Sequence, residues 1–143
     1  MRGLLGSYLH QIDDKGRLSL PAAFRRDSAD QPMVLVQVHA DALTLYPAST
    51  WSDVETRLRE LLRRQPSSRP YVLGVTANAA EVAPDKQGRI LVPHRLLSSV
   101  GIDGAALLVG VIDRVEIWSP TRFESAVVER SPEGDGFASQ LFG

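Results

Sequence analysis

Asp13-Asp14-Lys15-Gly16-Arg17-Leu18-Ser19-Leu20-Pro21 returns later in the chain as Asp85-Lys86-Gln87-Gly88-Arg89-Ile90-Leu91-Val92-Pro93. The arginines of the two copies stand 72 residues apart, and so do the prolines. At the same offset Phe24 meets Leu96, Leu35 meets Leu107, Asp41 meets Asp113, Leu45 meets Ile117, Tyr46 meets Trp118 and Trp51 meets Phe123. The match reads as a tandem duplication without insertion over about 40 positions. Two copies are too few for a solenoid, so the repeat predicts two half-domains related by a pseudo-two-fold axis, each completing the other.

Each copy has the chemistry of a tight connection followed by a strand. Aspartate side chains bond to nearby backbone N–H groups, and Gly16 or Gly88 supplies a positive φ. Arg17 to Leu20 and Arg89 to Val92 then alternate as half-buried strands, and Pro21 and Pro93 end them and start short helical turns. Working outward, residues 5 to 12 predict an opening strand with Leu5, Tyr8 and Ile12 on its buried side. Residues 27 to 32 are polar loop. Met33 to Val38 and Leu43 to Tyr46 predict an antiparallel pair. Ser49 or Thr50 can cap a long helix carrying Trp51, Val54, Leu58, Leu61 and Leu62 at helical spacing, with a solvated face of Arg57, Arg59, Glu60, Arg63 and Arg64.

Gln65 to Pro70 has linker composition. In the second half, Tyr71 to Thr76 is expected as a strand and Pro93 to Val100 as a helix closed by Gly101. Ala106 to Ile112 and Val115 to Trp118 form a second hairpin, and Ser119-Pro120 opens a final helix through Val127. Pro132 to Gly136 breaks that helix, leaving Phe137, Leu141 and Phe142 in a segment that docks on a neighbour. The organisation read from this is a first half at residues 1–64, a linker at 65–70, a second half at 71–130 and a tail at 131–143.

With 143 residues, 43% of them hydrophobic, the chain can build one core, whereas either half alone would be marginal. Absence of cysteine excludes disulfides, thiolate metal sites and cysteine nucleophiles. The N-terminal residues lack the apolar core of a signal peptide, and no segment approaches a membrane span, so the expectation is a cytoplasmic protein. A net charge of −1 argues against a general polyanion binder, so any nucleic-acid surface is local.

The paired Asp-x-x-x-Arg loops, Gly6 and Tyr8 before the first, the Asp85 to Pro93 run and Glu116-Ile117-Trp118 resemble the MraZ family of bacterial transcriptional regulators. The resemblance runs from about Gly3 to Phe123. It implies a mainly β, α+β fold with short helices: a double-split β-barrel of the SpoVT-AbrB type, in which each half supplies a swapped hairpin. It further implies a nucleoid-associated protein that assembles into a homo-oligomeric ring. Such a protein binds G-rich direct repeats in double-stranded promoter DNA and mainly represses the division and cell-wall gene cluster. Its DNA-contacting motif falls on Asp13, Lys15 and Arg17 and on Asp85, Lys86 and Arg89. The lysine stands two residues before Arg17 but three before Arg89, so the two loops need not act alike.

Side-chain chemistry supports these roles. The arginine fork matches guanine O6 and N7 bidentately, so Arg17 and Arg89 are candidates for base reading. Lys15 and Lys86 suit backbone phosphates. Asp13 and Asp85 are placed to fix the loop and orient the guanidinium. One Gly-containing turn with Lys and Arg would be an ordinary exposed hairpin; duplication of Asp and Arg together, while Ser19 differs from Leu91 and Ala22 from His94, is harder to assign to folding alone.

Catalysis has little to build on. His10, His39 and His94 lack metal-ligand spacing, no nucleophile triad or phosphate-cradling loop can be assembled, and adjacent Asp13 and Asp14 point apart on an extended strand. The reading is a non-enzyme without cofactor or metal. A competing class is an antitoxin-like protein-interaction module on the same barrel, although the tail has only Glu133 and Asp135 as acids.

Overall fold

The structure, a computed structural model, describes residues 3–25, 31–128 and 133–143. Strand β1 (Ser7–Gln11) enters the first loop and β2 (Arg17–Ser19) leaves it. Pro21 then seeds a 3-10 turn over Ala22–Phe24. Strands β3 (Met33–His39) and β4 (Ala42–Tyr46) precede helices α1 (Ala48–Arg64) and α2 (Arg69–Asn78). The second half runs through β5 (Ala80–Val82), β6 (Arg89–Leu91), α3 (His94–Ser99), β7 (Ala105–Gly110), β8 (Val115–Trp118) and α4 (Pro120–Val128), with α5 (Gly134–Phe142) at the end.

The strands form a six-stranded antiparallel sheet in the order β1-β7-β8-β4-β3-β5 and a two-stranded ribbon, β2-β6. That order is a palindrome of the two halves. Each half's first strand crosses over to pair with the other half's third, β1 with β7 and β5 with β3. The pseudo-axis passes through Leu18 opposite Ile90 in the ribbon and Thr44 opposite Glu116 in the sheet, both pairs being 72-residue counterparts. Among the described residues the hydrogen-bonding pattern traces an open six-stranded sheet and a ribbon, without closure into a barrel.

Between sheet and ribbon lies one core contributed by both halves. Leu18, Ile90, Val92, Leu35, Leu43, Leu45, Leu108, Val115 and Ile117 are fully buried within it. At roughly 1.5–3 kcal/mol per buried aliphatic side chain, this shared core dominates the favourable side of folding.

Several expectations are corrected. Tyr71 to Thr76 is not a strand. With Pro70 in its first turn, this stretch belongs to α2, and only Val72 on that helix is buried. The segment 65–70 is likewise helical, forming a 3-10 turn over Pro66–Ser68 and the start of α2. No side chain caps α1. Pro47 occupies its N-cap position, and the Thr50 hydroxyl donates instead to the carbonyl of Asp113 at 3.1 Å. Leu5 is 70% exposed while Leu4 is buried, because the chain turns at Gly6 and Leu4 pairs with Ile112. Tyr8 faces inward only partly, its ring edge-on to Phe24, and Ile12 packs on the core as expected. Gly134 and Gly136 lie inside a separate helix, α5, that begins after Glu133; Pro132 and the rest of the stretch between α4 and Glu133 lie outside the described residues. Gly101 closes α3 as the sequence suggests, with its own N–H donating to Ser98 and that of Ile102 to Leu97.

The constant offset also has an exception. Tyr46 pairs with Val34 and Trp118 with Leu107, so Leu107 is the counterpart of Val34, and Leu108, not Leu107, is that of Leu35. A bulge between Val36 and His39 absorbs the extra residue on β3. The duplication is therefore shifted by one residue in this strand pair and in register elsewhere.

Candidate nucleic-acid interface

Side chains alternate along the ribbon. Leu18 and Ile90 point into the core, which leaves Arg17, Ser19, Arg89 and Leu91 on the outward face. Arg17 stands opposite Leu91 and Arg89 opposite Ser19, so the two arginines are diagonal neighbours about 7–8 Å apart at the backbone. The structure thus brings both halves' arginines onto one surface across the pseudo-axis. No local rule predicts this, because the turns join strands of different sheets: β1 pairs with β7 and β2 with β6, and β1 and β2 do not pair beyond the Ile12–Leu18 bridge at the first turn.

Both loops are built the same way from their aspartate. Asp13 Oδ1 accepts from the N–H groups of Lys15 (3.0 Å) and Arg17 (2.9 Å), and Oδ2 accepts from Arg17 Nε. Asp85 Oδ1 accepts from Gln87 (2.8 Å) and Arg89 (2.9 Å), and Oδ2 from Arg89 Nε at 3.1 Å. Backbone bonds close each turn, from Gly16 to Asp13 and from Gly88 to Asp85, both at 2.9 Å. Gly16 and Gly88 have φ of 86° and 79°, the left-handed region that glycine enters without steric cost.

Chemically, the carboxylate holds the inner edge of each guanidinium through Nε. The outer pair, Nη1 and Nη2, has no hydrogen-bond partner among the described residues and presents a pre-set two-donor edge. Lys15 and Lys86 are exposed. Gln87, not Lys86, occupies the backbone position of Lys15, and Lys86 is the counterpart of Asp14, which gives the unequal lysine spacing its structural form.

Hydrogen bonds from the Arg17 backbone, opposed by desolvation and joined by the Arg17 side chain and the Lys15 N–H, hold the Asp13 carboxyl below its usual range. For Asp85 the Arg89 backbone N–H is the largest cause, with Gln87 and the Arg89 side chain adding to it against desolvation. Because both values are depressed in the folded state, the stability they contribute is complete at neutral pH. It is lost as pH falls below about 3.9, the ordinary carboxylate value, through the lower folded values. Urea unfolding followed from pH 7 downward is expected to show a steeper acid loss for the wild type than for Asp13→Asn/Asp85→Asn. Equal slopes would contradict this account.

The histidines are not brought together: His10 lies on β1, His39 at the end of β3 and His94 at the start of α3. Among the described residues no cluster of three or more His, Cys, Asp or Glu could hold a metal. A cavity of about 500 Å³ beside the first loop is lined by Asp13, Asp14, His94 and Ser98 among others, but Asp13 is committed to its loop. Among the described residues no helix is long and apolar enough to cross a membrane. Ser19 and Leu91, which complete the outward face, were not singled out as site residues, although alternation from Arg17 and the 72-residue relation identify both.

The ribbon thus presents two carboxylate-held guanidinium edges on one face. A family model described as "MraZ protein, putative antitoxin-like" matches residues 4–71 and 75–134. The relative named transcriptional regulator MraZ of Thermomicrobium roseum is 39% identical over 137 residues, 96% of each chain. That of Pediococcus pentosaceus is 36% identical over 137 residues, 96% of this chain and 95% of its own. A third, of Desulfitobacterium hafniense, is 43% identical over 115 residues, 80% of each chain. The chain belongs to the MraZ family.

Proposed function

We propose that the chain is a sequence-specific DNA-binding transcription regulator, mainly a repressor of the division and cell-wall gene cluster, acting in the cytoplasm on the nucleoid. Its fold in this reading is the double-split barrel, with the ribbon β2-β6 as the DNA-facing element. The observation that carries the proposal is the pair of aspartate-held arginines on one ribbon face. Arg17 and Arg89 read guanines through O6 and N7, and Lys15 and Lys86 contact phosphates. Asp13 and Asp85 act by orienting the arginines. A diagonal of about 7–8 Å spans two base steps of roughly 3.4 Å, which suits a short G-rich element.

With a net charge of −1 the chain has little general attraction for DNA, so one ribbon binds weakly. A homo-oligomeric ring that sets several ribbons on direct repeats raises the effective concentration instead. Exposed Tyr71 and Leu73 on α2, and Phe137, Leu141 and Phe142 on α5, support such assembly. Those same residues are the observation that favours an antitoxin-like interaction module, which a second protein copurifying at fixed stoichiometry would reveal.

Fluorescence anisotropy on a duplex with tandem G-rich repeats against a scrambled duplex tests the reading. Arg17→Ala and Arg89→Ala are each expected to lower specific affinity about tenfold or more while the elution volume stays that of the wild type. Variants that still discriminate the two duplexes would overturn it.

A further inference from the structure

The two halves diverge just after Phe24 and Leu96, counterparts that are both 2% exposed in the core. Leu97 also enters the core, but its counterpart Arg25 turns to the second loop. A Cβ built on Gly88 would lie 2.6 Å from Arg25 Nη1 and 2.8 Å from its Cζ, so the guanidinium rests directly on the glycine. At the first loop the residue lying against Gly16 is the backbone of Val92, and Leu97 lines the cavity shared by Asp13, Asp14 and Asp103.

Charge diverges in the same sense. The first loop carries Asp13 and Asp14 against Lys15 and Arg17, with Asp103 on the wall of the same cavity. Among the described residues the second loop itself carries Asp85 against Lys86 and Arg89. A phosphodiester strand approaching the ribbon therefore meets an acid-rich end and a cation-rich end.

We infer that the two loops are unequal and that Arg25 is a positioning residue of the second. It braces the Asp85–Arg89 turn through Gly88 and makes that end of the ribbon the principal anchor for DNA phosphate. The inference rests on the reading that the loops contact DNA. In it the absence of a Cβ at Gly88 has a second use besides the turn, because it admits the guanidinium of a residue from the other half.

The test uses the full chain with Arg25→Met, which keeps the stem, Arg25→Lys, which keeps the charge, and the doubles Arg25→Met/Arg89→Ala and Arg25→Met/Arg17→Ala. Anisotropy on the tandem-repeat duplex is read from about 50 to 200 mM salt. Arg25→Met is expected to weaken binding about tenfold and to lower the salt slope through loosened Lys86 and Arg89 contacts, and Arg25→Lys to restore part of both. Its effect is expected to be less than additive with Arg89→Ala and additive with Arg17→Ala. Arg25→Met binding as the wild type while Arg89→Ala fails, or equal additivity with both, overturns the inference alone. Wild-type binding by Arg17→Ala and Arg89→Ala removes the reading beneath it as well.

Discussion

Shortening Ile90 to alanine is expected to cost about 3 kcal/mol of folding free energy, because the side chain is fully buried and lies on the pseudo-axis, where no single half can close over the space it leaves. Leu18→Ala should cost a similar amount, and the double variant less than the sum, since each faces the other across three-residue strands. Leu20 and Val92 continue the buried side just past the strands, but they stand opposite Gly88 and Gly16, so Leu18 and Ile90 are the one inward-pointing cross-strand pair of the ribbon among the described residues. Urea denaturation with a fitted midpoint and slope measures all three. A loss below about 1 kcal/mol for Ile90→Ala would show that the ribbon is held by something other than this contact.

Gly16→Ala is the second large effect. Two costs add at this position: φ of 86° disfavours a side chain by about 1–2 kcal/mol, and the new Cβ would stand 2.5 Å from the carbonyl oxygen of Val92. That carbonyl belongs to backbone that cannot swing aside, because the Val92 N–H donates to Gly16 O at 2.8 Å in the same place. An overall loss of about 3 kcal/mol is expected, in line with strain plus overpacking. Gly104 provides the comparison. It has φ of 76° but nothing within 4 Å of a built Cβ, so Gly104→Ala should show the conformational part alone, about 1 kcal/mol. Thermal melts of the two variants side by side separate strain from collision, and equal melting points would refute the role given to Val92.

The loops were legible in the sequence because their chemistry is local. Aspartate accepting from N–H groups two and four residues on, glycine at positive φ and proline after a short strand all act within nine residues, and both copies fold as read. The duplication itself announced the pseudo-axis. What the sequence did not disclose depends on partners far along the chain. Pairing of β1 with β7 and of β2 with β6 is set by the closed core, not by either turn. Residues 71–76 are a short apolar run whose periodicity does not separate strand from helix, and the proline before them favoured the helix. The one-residue bulge on β3 leaves no mark in a sequence alignment of the halves. Arg25 falls in the short helical turn that follows Pro21, and only the fold shows it against a loop 63 positions away.

The crossing of first strands also sets a timetable. β1 ends at Gln11, and its partner β7 begins only at Ala105. At a synthesis rate of about 5–20 residues per second, the nascent chain holds that strand unmatched for on the order of ten seconds. The same delay applies to the ribbon, whose β2 waits for β6. Long-range antiparallel pairing of this kind is slow even for a released chain, since loop closure must come before the contacts that stabilise it. Neither half can commit to its shape as it leaves the ribosome, and the arginine surface comes into being only when the second copy of the motif arrives to face the first.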